Sequence, residues 1–199
     1  MVIQAYLFRH GKTDYNQGKI WQGQLDIPLN AEGIRQAEQL RDALCREGIR
    51  FTHLLASDLR RAYQTAQIAA DANCDGQPDV LLTLESDLRE RDMGVLQGSS
   101  YEGIDPFAYT ISVPDIQGGE SLDEVLHRAS AVPRKVLDCG EDSVVGIFAH
   151  GGINAMITAA FFDMPFDARA CQLQNNGSYH YFRLSKQGAL LAARLHCKD

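Results

Sequence analysis

Arg9-His10-Gly11 and His150-Gly151-Gly152 each close a short apolar run, residues 2–8 and 143–149, that reads as a buried β-strand. In an open α/β sheet, ligands bind beyond the carboxyl ends of the strands, so an Arg-His pair there is placed for chemistry. Two more strand ends carry similar groups. Ser57-Asp58-Leu59-Arg60-Arg61-Ala62 follows an apolar run at 52–56 and puts Arg60 in the first turn of a helix, and Leu88-Arg89-Glu90 follows a run at 80–84. Two histidines, two arginines and a carboxylate are what phosphoryl transfer to a protein nucleophile needs.

Each group has an expected role. The planar fork of arginine matches two phosphate oxygens, so Arg9 and Arg60 are expected to hold the phosphate and stabilise its transition-state charge. His10 attacks through one neutral ring nitrogen, while a backbone carbonyl bound to the other fixes the tautomer. His150 is expected to donate to a phosphate oxygen. Glu90 protonates the leaving alkoxide and then accepts a proton from the attacking water. Asn16, Gln22 and the backbone around Gly11, Gly23 and Gly151 are the expected substrate contacts. No metal and no cofactor is expected, because side chains supply the cations and no ligand spacing is clustered. Taken singly, Arg60 and Arg61 also read as a solvated helix face, Glu90 as a surface ion pair and His150 as a turn residue. Their joint occurrence at successive strand ends favours a site.

The elements that must position these groups alternate, which gives an α/β class in one domain, residues 1–199. Asn30 caps a helix from Ala31 to Gly48 with Ile34, Ala37, Leu40, Ala43 and Leu44 on one face. A second helix runs from 59 to roughly 72. Ser121-Leu122-Asp123-Glu124 is a capping box, and Pro133 should kink or divide the helix that follows. A helix at 153–162 and an antiparallel strand pair at 178–184 and 190–195 complete the pattern. Residues 85–119 are irregular and read as a lid, with 99–119 as its specificity segment.

The net charge of -7 argues against nucleic-acid or anionic-membrane partners, and no apolar run is long enough to span a bilayer. A small-molecule phosphomonoester is the expected partner, and a homodimer is compatible with the composition. The five scattered cysteines contain no C-x-x-C pair and suggest no disulfide framework, so a reducing cytoplasm suits them.

With these residues in place, the chain resembles the histidine phosphatase superfamily, also called phosphoglycerate mutase-like. The matching segments are Arg9-His10-Gly11 with Thr13 and Asn16, Asp26-Ile27-Pro28-Leu29, and Ser57 to Ala62 with Gln64-Thr65-Ala66. Glu90 with Gly94 and Gly98, Gly118-Gly119-Glu120-Ser121, and His150-Gly151-Gly152 complete the set. The resemblance implies a three-layer α/β/α fold with a mostly parallel sheet. It also implies His10 as the phosphorylated residue, Arg9, Arg60 and His150 as the phosphate pocket, and Glu90 as the proton donor. Lys12 departs from the pattern of many relatives, which carry a carboxylate there.

Residues 99–119 hold no Lys or Arg, while Glu102, Asp105 and Asp115 are acidic. Like-charge repulsion from such a lid would disfavour a second anionic group, so a neutral or weakly charged leaving group is expected, a sugar phosphate or an α-ribazole phosphate-like molecule. Tyr101, Phe107, Tyr109 and Trp21 would offer it apolar surface. A phosphoglycerate mutase or fructose-2,6-bisphosphatase-like enzyme is the first alternative. A phosphoprotein phosphatase or a non-catalytic phosphate-binding module is the second.

Overall fold

Strand β1 (Val2–Arg9) lies inside a six-stranded sheet of order β3-β2-β4-β1-β5-β6. The computed structural model describes residues 2–70, 80, 82–168 and 171–197. Strands β2 (His53–Ala56), β3 (Leu82–Leu84) and β4 (Val144–Ala149) run parallel to β1, whereas β5 (Tyr179–Ser185) and β6 (Leu190–Cys197) are antiparallel. The register sets the site: Arg9 pairs with Ala149, and Ala56 pairs with Phe148. The chain therefore leaves β1, β4 and β2 at nearly the same level, delivering His10, His150 and Ser57 to one edge.

The apolar runs are continuous because the parallel strands are covered on both faces. Ile3, Ala5 and Leu7 point to one layer with Val145 and Ile147. There they meet α5 (Leu122–Ser130), α6 (Val132–Asp138) and α7 (Gly151–Phe161). Tyr6 and Phe8 point the other way, where Leu40 and Leu44 of α2 (Ala31–Arg46) and Ala66 and Ala69 of α3 (Arg60–Ala70) cover them. Phe8 stacks on Phe148 with ring centroids 4.6 Å apart, which locks the two central strands together. The result is the expected three-layer α/β/α arrangement.

Local signals account for the helix boundaries. Asn30 accepts from the Gly33 amide, and Ser121 with Glu124 forms the reciprocal capping box. Pro133 falls in the first turn of α6, so it divides the helix from α5. Ile34, expected on the apolar face of α2, is exposed. Helix α7 starts at Gly151, two residues before the expected 153, because His150 is already its N-cap. Two short helices fall where loops were expected: α1 (Asp14–Gln17), with a Thr13–Asn16 capping box, and α4 (Pro106–Ser112), which Asp105 caps. The expected end of α3 near 72 and residue 81 of the third strand lie outside the described residues. Cys139 and Cys171 are free, but Cys45 is disulfide-bonded. That bond corrects the expectation of unbridged thiols. No helix among the described residues is long and apolar enough to cross a membrane.

The segment after β3 is irregular in outline but firmly tied. Arg91 is fully buried, and its guanidinium donates to the carbonyls of Thr110, Val113, Pro114 and Glu120. Trp21 packs against Tyr101 and Tyr109, each at 5.3 Å, and with Met93 and Ile116 forms a small core under α4. Replacing Arg91 by Met would leave buried carbonyls without donors, a loss of roughly 3 kcal/mol or more. Hydrogen exchange across 106–120 should quicken in Arg91→Met, with a lower urea midpoint; unchanged protection would remove Arg91 from this role.

Candidate active site

His10 follows β1 and is almost wholly buried. Its Nδ1 lies 2.6 Å from the carbonyl of Gly11. A carbonyl only accepts, so Nδ1 carries the proton and Nε2 keeps the lone pair. Burial above all, then the charges of Arg61 and Arg9, hold the imidazole pKa well below its ordinary value. The ring is thus neutral between fixed cations, with the tautomer the sequence reading requires.

Arg9 is locked by a bond from Nη1 to the carbonyl of Gln174, at 2.6 Å. Gln174 is itself pinned, donating to the carbonyls of Leu7 and Ser178 and accepting from Asn154. The Nε of Arg9 is buried with no hydrogen-bond partner. Gly151 makes room for this guanidinium, since a Cβ there would lie 3.2 Å from its central carbon.

The second arginine is Arg61, not Arg60. Arg60 turns outward, half-exposed, with its Nε 2.9 Å from the Asp26 carboxylate. Arg61 is buried and donates to the carbonyls of Gly23 at 2.7 Å and Leu25 at 2.8 Å, and from Nε to His150 Nδ1 at 3.1 Å. Burial lowers its pKa to about 10, against the opposing pull of Glu90. At about 100° per residue, Arg61 falls within the arc of buried positions on this helix, whereas Arg60 lies opposite its centre. Ala62, Thr65, Ala66 and Ala69 share the buried side with Arg61. That small-residue phase is the sequence signal that favours Arg61.

Gly11 also departs from expectation. Its amide donates to Thr65 Oγ1 and it packs against Gly33, so its backbone braces the turn and does not line the cavity. His150 is completely buried behind Arg61 and His10, its ring centroid 5.1 Å from that of His10. A guanidinium only donates, so Nδ1 of His150 accepts from Arg61 and the protonated Nε2 donates to Ser57 Oγ at 2.9 Å. Both nitrogens are occupied. His150 here orients Arg61 instead of offering the expected donor to a ligand. Burial, then Arg61, holds its pKa well below normal.

Glu90 sits at the N-terminus of α7, where an anion is favoured. One carboxylate oxygen accepts from the Gly152 amide at 2.9 Å, the other from Ile153 at 3.1 Å and Arg91 at 3.0 Å. A Cβ on Gly152 would lie 2.7 Å from the carboxylate, so only glycine permits this approach. Gln24 and Arg128 hold the Glu90 carbonyl, and both also bind the Glu120 carboxylate. Gln24, Arg128 and Gln174 were not foreseen, because each acts through backbone groups distant in sequence.

These groups surround a cavity of about 90 Å³, which Asn16, Gln22, Gly23 and Gly151 also line. Asn16 Oδ1 accepts from the Thr13 amide, and Gln22 Oε1 lies 2.9 Å from Thr13 Oγ1, which leaves both NH2 groups for a ligand. The 99–119 segment contributes Tyr101, Phe107 and Thr110 to the wall. None of its acidic side chains does: Glu102 faces Lys19 and Asp105 caps α4. The electrostatic ground for a neutral leaving group is therefore not met. Among the described residues, no group of three His, Cys, Asp or Glu is placed to hold a metal ion.

Two outcomes follow from this arrangement. Arg61→Ala should lower turnover of a phosphomonoester at least about a hundredfold, and Arg60→Ala by less than about threefold, given how much buried charge contributes to transition-state binding; the reverse order would return Arg60 to the site. The unfolded chain protonates its histidines near pH 6.5, whereas His10 and His150 stay neutral when folded. Stability is then full above that pH and falls below it, by up to about 1.4 kcal/mol per pH unit for each histidine. Urea midpoints measured between about pH 7.5 and pH 5 should decline, with a smaller slope in His150→Asn. A slope that His150→Asn leaves unchanged would contradict the assignment.

A family model described as histidine phosphatase superfamily (branch 1) matches residues 5–194. Phosphoglycerate mutase-like protein 4 of Arabidopsis thaliana is 35% identical over 192 residues, covering 91% of this chain and 79% of that protein. The structure of Bacillus stearothermophilus YhfR superposes with a TM-score of 0.83 at 26% identity, over 98% of each chain. A mycobacterial glucosyl-3-phosphoglycerate phosphatase solved with VO3 gives 0.77 at 28% identity, over 90% of this chain and 92% of that one. A buried neutral imidazole between the buried guanidinium of Arg61 and the partly buried one of Arg9 is thus found in a chain that belongs to the histidine phosphatase superfamily.

Proposed function

We propose that the cavity hydrolyses a small-molecule phosphomonoester in two steps through a phosphohistidine on His10. The observation that carries this is the free Nε2 of His10, its ring anchored at Nδ1 and flanked by Arg9 and Arg61. Nε2 attacks phosphorus and the P–O bond to the alcohol breaks; the Glu90 carboxylate passes the proton that the ester brings as its monoanion to the leaving oxygen. Water then attacks the phosphohistidine and yields a proton to Glu90. The P–N bond breaks, its electron pair returns to Nε2, and inorganic phosphate leaves with the proton from Glu90, which is again a carboxylate. Arg9 and Arg61 hold the phosphoryl oxygens in both steps, so the charge is met without a metal.

A sugar phosphate or α-ribazole phosphate-like ester is the substrate class we favour, supported by the uncharged wall of Tyr101, Phe107 and Thr110. The glucosyl-3-phosphoglycerate phosphatase likeness supports an ester that contains a sugar. A phosphoglycerate mutase is the second reading, favoured by the mutase-like relative; there the phosphoryl group returns to an alcohol instead of water. A cytoplasmic setting suits free Cys139 and Cys171, while the bonded Cys45 speaks for a more oxidising one.

A phosphomonoester panel assayed with EDTA present tests this. Hydrolysis should persist in the wild type and fall by about a thousandfold or more in His10→Ala. Glu90→Ala should slow sugar phosphates far more than p-nitrophenyl phosphate, whose leaving group needs no proton. Equal losses on both would remove Glu90 from acid catalysis.

A further inference from the structure

The catalytic cavity opens into a larger groove of about 670 Å³, and the two share Arg9, Asn16, Tyr101, Pro106 and Leu173. The cavity itself, at about 90 Å³, is several times smaller than the groove. A phosphoryl group fits there, so the alcohol half of any substrate must extend into the groove. Lys12, Glu32 and Arg35 line the groove but not the cavity. Arg35 is paired with Glu32 at 2.5 Å, and Arg9 belongs to the catalytic cavity. Lys12 makes no ion pair within 4 Å of any described residue, and its charge reaches the Glu32 carboxylate only from farther off.

The backbone of Lys12 is fixed. Its amide donates to Gln36 Oε1 at 2.9 Å, its carbonyl accepts from the Asn30 amide at 3.0 Å, and Gly33 packs directly against it. An exposed ammonium thus projects from a rigid turn two residues beyond the nucleophile. Asn175 and Asn176 stand on the same groove, and Asn176 is held by a bond from Nδ2 to the His10 carbonyl at 2.6 Å. The acidic residues of 99–119 do not line the groove.

We propose that this groove takes the alcohol half of the substrate and that Lys12 selects esters carrying a second anionic group. The inference rests on the reading that the His10 cavity takes the phosphate. Within the sugar phosphates favoured above it singles out those with a second anionic group and sets aside the neutral leaving groups, because Arg35 on the groove is paired with Glu32 and Lys12 is the cation left to meet that anion.

The test compares Lys12→Met and Lys12→Glu with wild type on four esters: p-nitrophenyl phosphate, a neutral hexose phosphate, 3-phosphoglycerate and a hexose bisphosphate. Lys12→Met should raise KM about tenfold for the esters with a second anion, with kcat nearly unchanged, and shift the other two less than about twofold. Lys12→Glu should widen the gap, and added salt should narrow the difference between wild type and variants. A larger effect on 3-phosphoglycerate assigns the group as a carboxylate, and one on the bisphosphate as a phosphate. Equal effects on all four esters, or no effect on any, overturn the role of Lys12. A wild type that prefers the neutral hexose phosphate overturns it too. Activity surviving in His10→Ala would instead overturn the phosphohistidine reading on which it rests.

Discussion

One buried and one partly buried guanidinium group around a single imidazole are the constraint to which the rest of the molecule answers. Taking such charges out of water costs several kcal/mol each, and their mutual repulsion adds to it. The chain offsets this with fixed acceptors: the carbonyl of Gln174 for Arg9, and those of Gly23 and Leu25 for Arg61. Glu90 supplies the nearby negative charge, as its influence on both arginines indicates. An arriving phosphate completes the balance. The free site therefore holds its cations in place before the ligand comes, and little reorganisation is left for the reaction.

Close backbone approach makes that crowding feasible. Gly151 leaves space for the Arg9 guanidinium, and Gly152 lets the Glu90 carboxylate reach the α7 amides. The same two residues begin the helix whose N-terminus faces that carboxylate. One glycine pair after β4 thus serves both the cationic and the anionic side of the site. His150, immediately before it, completes the unit by holding Arg61 from behind.

The sheet, its two covered faces and the strand ends were legible because burial imposes continuous apolar runs that no other element produces so simply. The placement of His10, the carbonyl that fixes its tautomer and the position of Glu90 were legible because these residues follow closely on those runs. The choice between Arg60 and Arg61 needed helical phase, which Ala62, Thr65 and Ala69 carried but adjacency to the strand did not. The second-layer roles of His150 and Gln174 were not legible, since they depend on which partners the fold brings within hydrogen-bond range. Lid charge misled for the same reason: composition counts Glu102 and Asp105, while geometry aims them at Lys19 and at a helix end.

The Arg91 fastening binds main-chain oxygens at Thr110, Val113, Pro114 and Glu120 and uses none of their side chains. Every residue type has such an oxygen. The flap above the reaction centre can therefore exchange its amino acids, and so retune what it recognises, without loosening its own hinge-pin. A scaffold anchored in this way separates heritable change in preference from the upkeep of its chemistry.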